Sequence, residues 1–204
     1  MKLQRRGHEL AGAAGAMILL HGRGGSAEDI IGLAAAFDFP GVAYLAPEAA
    51  GHAWYPYSFL SPLEQNQPAL TTALERVAQV VDDVTRAGIP REKLVIAGFS
   101  QGACLASEFV ARNPAHYGGL IAFTGGLIGP PGTKFQYAGS IEGTRAFLGS
   151  GDPDAHVPWQ RVQETADILG GMGAEVTLQR YPGMPHTVSR EEIEQAKKLL
   201  AAVL

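Results

Sequence analysis

The stretch KLVIAGFSQGACLASEFV, Lys93 to Val110, decides how the rest of the chain is read. Lys93 to Ala97 is a short apolar run rich in branched residues, as a buried strand requires. Ala103 to Val110 reads as helix, with Ala103, Leu105, Ala106, Phe109 and Val110 available for a buried face. Between them, Gly98-Phe99-Ser100-Gln101-Gly102 matches G-x-S-x-G. To present a serine hydroxyl at the top of a sheet, the chain must reverse sharply between strand and helix. That turn strains the serine backbone and crowds the residues two positions away on each side, where only glycine leaves room. The helix that follows points free N–H groups at the same spot, ready to hold a negative oxygen. In a chain with 26 glycines the pentapeptide alone also arises by chance, so its context and its downstream partners carry the weight.

With 204 residues the chain is long enough to bury a substantial core, and one domain spanning 1–204 is expected. A composition 46% hydrophobic and 18% charged, with net charge −4, advertises neither nucleic acid nor an anionic membrane surface. The single cysteine, Cys104, excludes an internal disulfide or a cysteine-based metal site and reads as packing. No targeting segment or membrane-length apolar stretch is evident, so a cytoplasmic location is expected.

Outward from the central stretch, apolar runs at Ala16–Leu20, Val42–Ala46, Leu120–Phe123, Arg145–Leu148 and Glu175–Tyr181 read as strands. Residues 1–15 supply an edge strand and a turn. Helices are expected from Ser26 to about Phe37, Pro68 to Ala87, Pro158 to Leu169 and Ser189 to Leu204. Ser26 and Ser189 serve as N-caps, and Glu192 completes a capping box. Alternation at these intervals implies an α/β fold with a doubly wound, mostly parallel sheet covered on both faces. In such sheets the site lies at the carboxyl ends of the strands. His21, Ser100, Asp154 and His186 all follow strands and belong on one rim.

A serine nucleophile needs a general base, and the base needs an orienting carboxylate. His186 lies in a Gly/Pro turn between the last strand and the last helix. Asp152 and Asp154 share the loop after the preceding strand, and spacing leaves the choice between them open. Nucleophile, acid and histidine in that order, each after a separate strand, is the order of α/β-hydrolases. Charge developing on a carbonyl oxygen must also meet fixed donors. Gln101 supplies one backbone N–H, and the glycine-rich loop His21-Gly22-Arg23-Gly24-Gly25 supplies the other at Arg23.

The chain resembles the phospholipase/carboxylesterase (acyl-protein thioesterase-like) family of the α/β-hydrolase superfamily over nearly its whole length. The carriers are LLHGRGGSAED (Leu19–Asp29), GFSQG (Gly98–Gly102), GDPDAHVP (Gly151–Pro158) and GMPH (Gly183–His186). The resemblance implies Ser100, Asp154 and His186 as the catalytic set, with Asp152 a turn former or a group that supports the site from behind. It implies the amides of Arg23 and Gln101 as the oxyanion hole. The N-terminal portion is too short for the full pair of leading strands of larger hydrolases, so trimmed N-terminal strands are expected. The predicted loops are short, so no large lid domain is expected, with neither cofactor nor metal. The activity implied is serine carboxylesterase action on small or short-chain esters; thioesterase or lysophospholipase action on longer acyl chains is the alternative. Arg23 stands where many thioesterases of this branch carry leucine, and a cation at the mouth suits a small or anionic ester. The partner implied is a small-molecule ester; a homodimer stays open.

The aromatic segment Trp54-Tyr55-Pro56-Tyr57-Ser58-Phe59-Leu60 reads equally as a pocket wall or flap and as a plug holding the loop to the core. Trp54, Tyr55, Phe99 and Trp159 are the candidate substrate-binding side chains. A rival of another class is nicotinamide binding. Gly22 to Ala27 fits a loose dinucleotide fingerprint, and Glu48 follows the next strand where a ribose-binding acid would stand. It explains neither G-x-S-x-G nor the order of Asp154 and His186. A non-catalytic binding module would normally have lost one of the groups retained here.

Overall fold

The computed structural model describes residues 2–204. Seven strands form one sheet in the order β1-β3-β2-β4-β5-β6-β7. They are β1 (Leu3–Gly7), β2 (Gly15–Leu20), β3 (Val42–Pro47), β4 (Leu94–Phe99), β5 (Gly119–Phe123), β6 (Arg145–Asp152) and β7 (Glu175–Pro182). Only β1 runs antiparallel, pairing with β3 from Leu3↔Pro47 to Gly7↔Ala43; the other pairings are parallel. The helices are α1 (Ala27–Ile31), α2 (Leu33–Phe37), α3 (Ala69–Arg86), α4 (Gln101–Arg112), α5 (Trp159–Gly171) and α6 (Arg190–Val203).

Alternation along β2 shows why the sheet is covered twice. Ala16, Ile18 and Leu20 join the core beneath α3, α4 and α5, while Met17 and Leu19 join the core beneath α1, α2 and α6. On α3 the residues Leu70, Ala73, Val77, Val80, Val81 and Val84 form one buried stripe at helical spacing. Residues 27–37 are expected as one helix but form two, because the Gly32 N–H turns back to the Asp29 carbonyl in a tight, 3₁₀-like step. The sixth strand runs to Asp152, four residues past its expected end, because β7 pairs with it as far as Asp152↔Pro182. Among the described residues no helix is long and apolar enough to cross a membrane.

The expected N-cap Ser26 forms a capping box with Asp29, and the expected capping box at Ser189/Glu192 is present. The second carries a cost. Glu192 is fully buried; one carboxyl oxygen accepts the Ser189 N–H at 2.8 Å and the other has no partner. Burial outweighs the bonds from Ser189 and pushes the carboxyl from 4.5 up to about 7. Below pH 4.5 both folded and unfolded chains are protonated there and stability is unaffected. Between 4.5 and 7 the unfolded chain ionises first, so stability falls as pH rises, and above 7 the loss is constant at about 3 kcal/mol. Glu192→Gln keeps the acceptor and removes the titration. Its gain in thermal midpoint over the wild type is therefore expected to be larger at pH 8 than at pH 5. Melts showing the same gain at both pH values would contradict this account.

Candidate active site

At the end of β4 the chain turns through Ser100 at φ 55° and ψ −118°, a left-handed conformation for a residue with a side chain. Such strain costs on the order of 1–3 kcal/mol and persists only where surrounding structure holds it. Here the Ser100 N–H donates to the Phe123 carbonyl at 3.0 Å, and the Ser100 carbonyl accepts from Cys104 N–H at 3.0 Å. The flanking glycines are demanded by contact. A Cβ on Gly98 would lie 2.3 Å from the Gly102 carbonyl carbon, and one on Gly102 would lie 2.1 Å from the Leu20 carbonyl oxygen. The G-x-S-x-G spacing thus lets α4 close against β4 and β2.

Three side chains from three loops meet at this turn. The Ser100 hydroxyl and His186 Nε2 are 2.9 Å apart, and His186 Nδ1 lies 2.8 Å from Asp154 Oδ2. An ionised carboxylate only accepts, so Nδ1 carries the hydrogen and donates to Asp154, leaving the Nε2 lone pair to accept from the Ser100 hydroxyl. The Asp154 side chain is fully buried. Burial alone would raise its pKa. The amides of His156 and Val157, each 2.8 Å from Oδ1, together with His186, outweigh that and hold the carboxyl below its ordinary value. Asp152 takes no part in this chain of bonds and pairs with Arg180 on β7. The His186 ring is held between Phe99, with centroids 4.9 Å apart, and His156, at 4.8 Å.

The loop after β2 is held beside Ser100 by buried polar contacts. His21 Nδ1 donates to the Gly22 carbonyl at 2.8 Å, and Nε2 accepts from Ala49 N–H at 3.1 Å, a pairing that needs the neutral ring. Burial lowers the His21 pKa accordingly. Gly24, at φ 78°, lets the loop curl. The backbone N–H groups of Arg23 and Gln101 sit on the two segments that flank the turn. The Gln101 carboxamide spans to the aromatic segment, accepting from Trp54 N–H at 2.9 Å and donating to the Tyr55 carbonyl at 2.8 Å. The Arg23 guanidinium donates to the carbonyls of Pro56 and Tyr57 at 2.7 and 2.6 Å. One loop is therefore tied to both halves of the candidate oxyanion site.

A cavity of about 640 Å³ opens over Ser100. Tyr55, Tyr57, Phe59 and Phe99 line it, with Arg23 and His156 among its polar residues and Cys104 also in its wall. The aromatic segment is wall and plug at once. Tyr57 is half exposed in the cavity wall, while Trp54, Tyr55 and Phe59 are buried in the core. Two expected substrate contacts stand elsewhere. Trp54 turns inward because its indole N–H donates to the His21 carbonyl at 2.8 Å. Trp159, the first residue of α5, packs on the core, with the Arg180 guanidinium 5.9 Å from its ring centroid. Sequence reasoning missed His156, the Gln101 side chain and the place of Cys104 in the cavity wall. The dinucleotide reading meets an obstacle at Glu48. Its carboxylate accepts the Ala27 N–H at 2.6 Å, occupying the helix start where a pyrophosphate would have to sit.

A seven-stranded sheet with a strained serine turn after its central strand and a histidine after its last strand defines an α/β-hydrolase fold. The chain belongs to the phospholipase/carboxylesterase family, whose model matches residues 10–204. It is similar to a phospholipase/carboxylesterase of Dyadobacter fermentans, at 46% identity with a TM-score of 0.94, covering 98% of this chain and 96% of that one. It is 26% identical to a probable carboxylesterase SOBER1-like of Arabidopsis thaliana over 67% of this chain and 52% of that protein. To acyl-protein thioesterase 1 of Debaryomyces hansenii it is 29% identical, over 61% of this chain and 54% of that protein. The chain spans about half the length of the curated relatives it matches.

Proposed function

We propose that the protein hydrolyses small carboxylic esters through an acyl-enzyme formed on Ser100. The observation that carries this reading is the unbroken hydrogen-bonded chain from Ser100 through His186 to the buried Asp154. As Ser100 Oγ bonds to the ester carbonyl carbon, its proton passes to His186 Nε2, and Asp154 stabilises the imidazolium. The carbonyl oxygen takes the negative charge and is held by the Arg23 and Gln101 amides. Collapse breaks the bond to the alcohol, which leaves with the proton from Nε2. Water then repeats the sequence on the acyl-serine, releasing the acid and restoring the hydroxyl. A thioester carries the same acyl carbonyl and enters the same steps.

A small ester suits this site because the cavity over Ser100 holds about 640 Å³, the size of a small-molecule pocket. Arg23 spends two of its five N–H donors on loop carbonyls, leaving the rest for a carboxylate or other acceptor on the substrate. A fluorophosphonate tests the central claim, because only an activated serine displaces its fluoride. The expected result is one added phosphonyl group per chain, mapped to Ser100 by peptide mass. Failure to label, or labelling at another residue, would sink the proposal.

A further inference from the structure

Charge is distributed unevenly around Ser100. The chain carries a net charge of −4, yet no aspartate or glutamate is among the residues that line the cavity. Arg23 and His156 line it, and both are exposed. The carboxylates on the same loops are already engaged. Asp154 is buried and accepts from His186 and from the His156 and Val157 amides. Asp29 is bound in the Ser26 cap, and Glu48 accepts the Ala27 N–H. Neither Arg23 nor the His156 ring forms an ion pair among the described residues.

Backbone contact fixes Arg23 beside the reacting hydroxyl. A Cβ on Gly22 would lie 3.4 Å from the Ser100 Cβ, so Arg23 leaves the chain one residue from contact with Ser100. Its Nη1 and Nη2 each donate once, to the Pro56 and Tyr57 carbonyls at 2.7 and 2.6 Å, and both of those residues also line the cavity. The carbonyls orient the guanidinium without neutralising it. One hydrogen on each terminal nitrogen and the one on Nε stay unclaimed, and a carboxylate meets such a fork with two parallel bonds. From the acid loop, the His156 ring packs edge-on against His186, with centroids 4.8 Å apart and planes at 72°, and adds another nitrogen-bearing ring to the same wall. A cleft lined by one sign of charge raises the local concentration of ligands of the other sign.

Building on the esterase reading, we propose that the substrates are esters carrying a free carboxylate, and that the Arg23 guanidinium is the specificity-determining group that binds it. A site built around a charged donor discriminates against a neutral isostere, which cannot replace the carboxylate at the fork.

Monoethyl glutarate and its isomer 4-(propanoyloxy)butanoate place the carboxylate on the acyl half and on the alcohol half. Each is compared with its primary amide, which keeps the shape and lacks the charge, by titrating the acid released. The wild type is expected to favour at least one of the two acids over its amide by about tenfold in kcat/KM. That ratio is expected to fall toward one in Arg23→Met. It is also expected to shrink as ionic strength rises from about 0.01 M to about 1 M, which shortens the screening length from about 30 Å to about 3 Å. A loop merely loosened by the substitution slows acid and amide alike and leaves the ratio where it was. Ratios near one for both isomers in the wild type overturn the selection and leave the esterase reading standing. So does a preference that survives Arg23→Met or ignores salt, and so does a protein that labels at Ser100 yet turns over none of the four esters. No turnover together with no fluorophosphonate label on Ser100 overturns the esterase reading and this proposal with it.

Discussion

Ser100→Ala is expected to lower kcat/KM on a chromogenic short-chain ester by on the order of a hundred-thousandfold, with the fold unchanged. The size follows from what is removed. No other hydroxyl stands 2.9 Å from His186 Nε2, so the variant keeps only what the Arg23 and Gln101 amides and the cavity contribute. Alanine preserves the Cβ, so the strain already present at φ 55° does not change. Both partners of Ser100 in the turn, Phe123 and Cys104, are bonded through its backbone and remain. Initial rates paired with a thermal melt check the claim. More than a hundredth of wild-type turnover in a normally melting variant would place the nucleophile elsewhere.

Much of the architecture was legible because the strands are either buried on both faces or bounded by glycine and proline. β2, β3 and β5 carry unbroken apolar runs, and each formed within one or two residues of its expected bounds. Local signals did less well where a distant partner sets the outcome. Nothing within Arg145–Asp152 shows how far its strand extends; β7 determines that by pairing through Pro182. The break at Gly32 is equally quiet, since glycine there keeps an ordinary right-handed helical backbone, φ −55° and ψ −30°.

The candidate site divides along the same line. Ser100 and His186 were recognisable from glycine and proline spacing, because their backbone turns require those residues. The aromatic segment announced burial without direction. An irregular loop has no period, so Trp54 and Tyr55 looked alike, yet one indole bonds the His21 carbonyl while the neighbouring ring borders the cavity. The role of Gln101 beyond its amide depends on Trp54 and Tyr55, 47 and 46 residues away, and no local pattern encodes such a span.

The two aspartates give the second large effect and the sharpest contrast. Asp154→Asn is expected to lower kcat on the same ester by about ten-thousandfold, whereas Asp152→Asn stays within about threefold of wild type. At position 154 one carboxyl oxygen already accepts two backbone amides, those of His156 and Val157. An asparagine must turn its carbonyl oxygen to those donors, which aims its NH₂ at His186 Nδ1. Nδ1 then has to accept, the ring hydrogen moves to Nε2, and the lone pair that should take the Ser100 proton is gone. The protein keeps its shape and loses the tautomer. Asp152 meets Arg180, whose side chain is more than half exposed, so neutralising it removes only a weak ion pair. Rates for both variants at one pH, with fluorophosphonate labelling as a second readout, decide the matter. Comparable losses from the two substitutions would mean that Asp154 acts on the loop's structure and leaves the imidazole's orientation to another group.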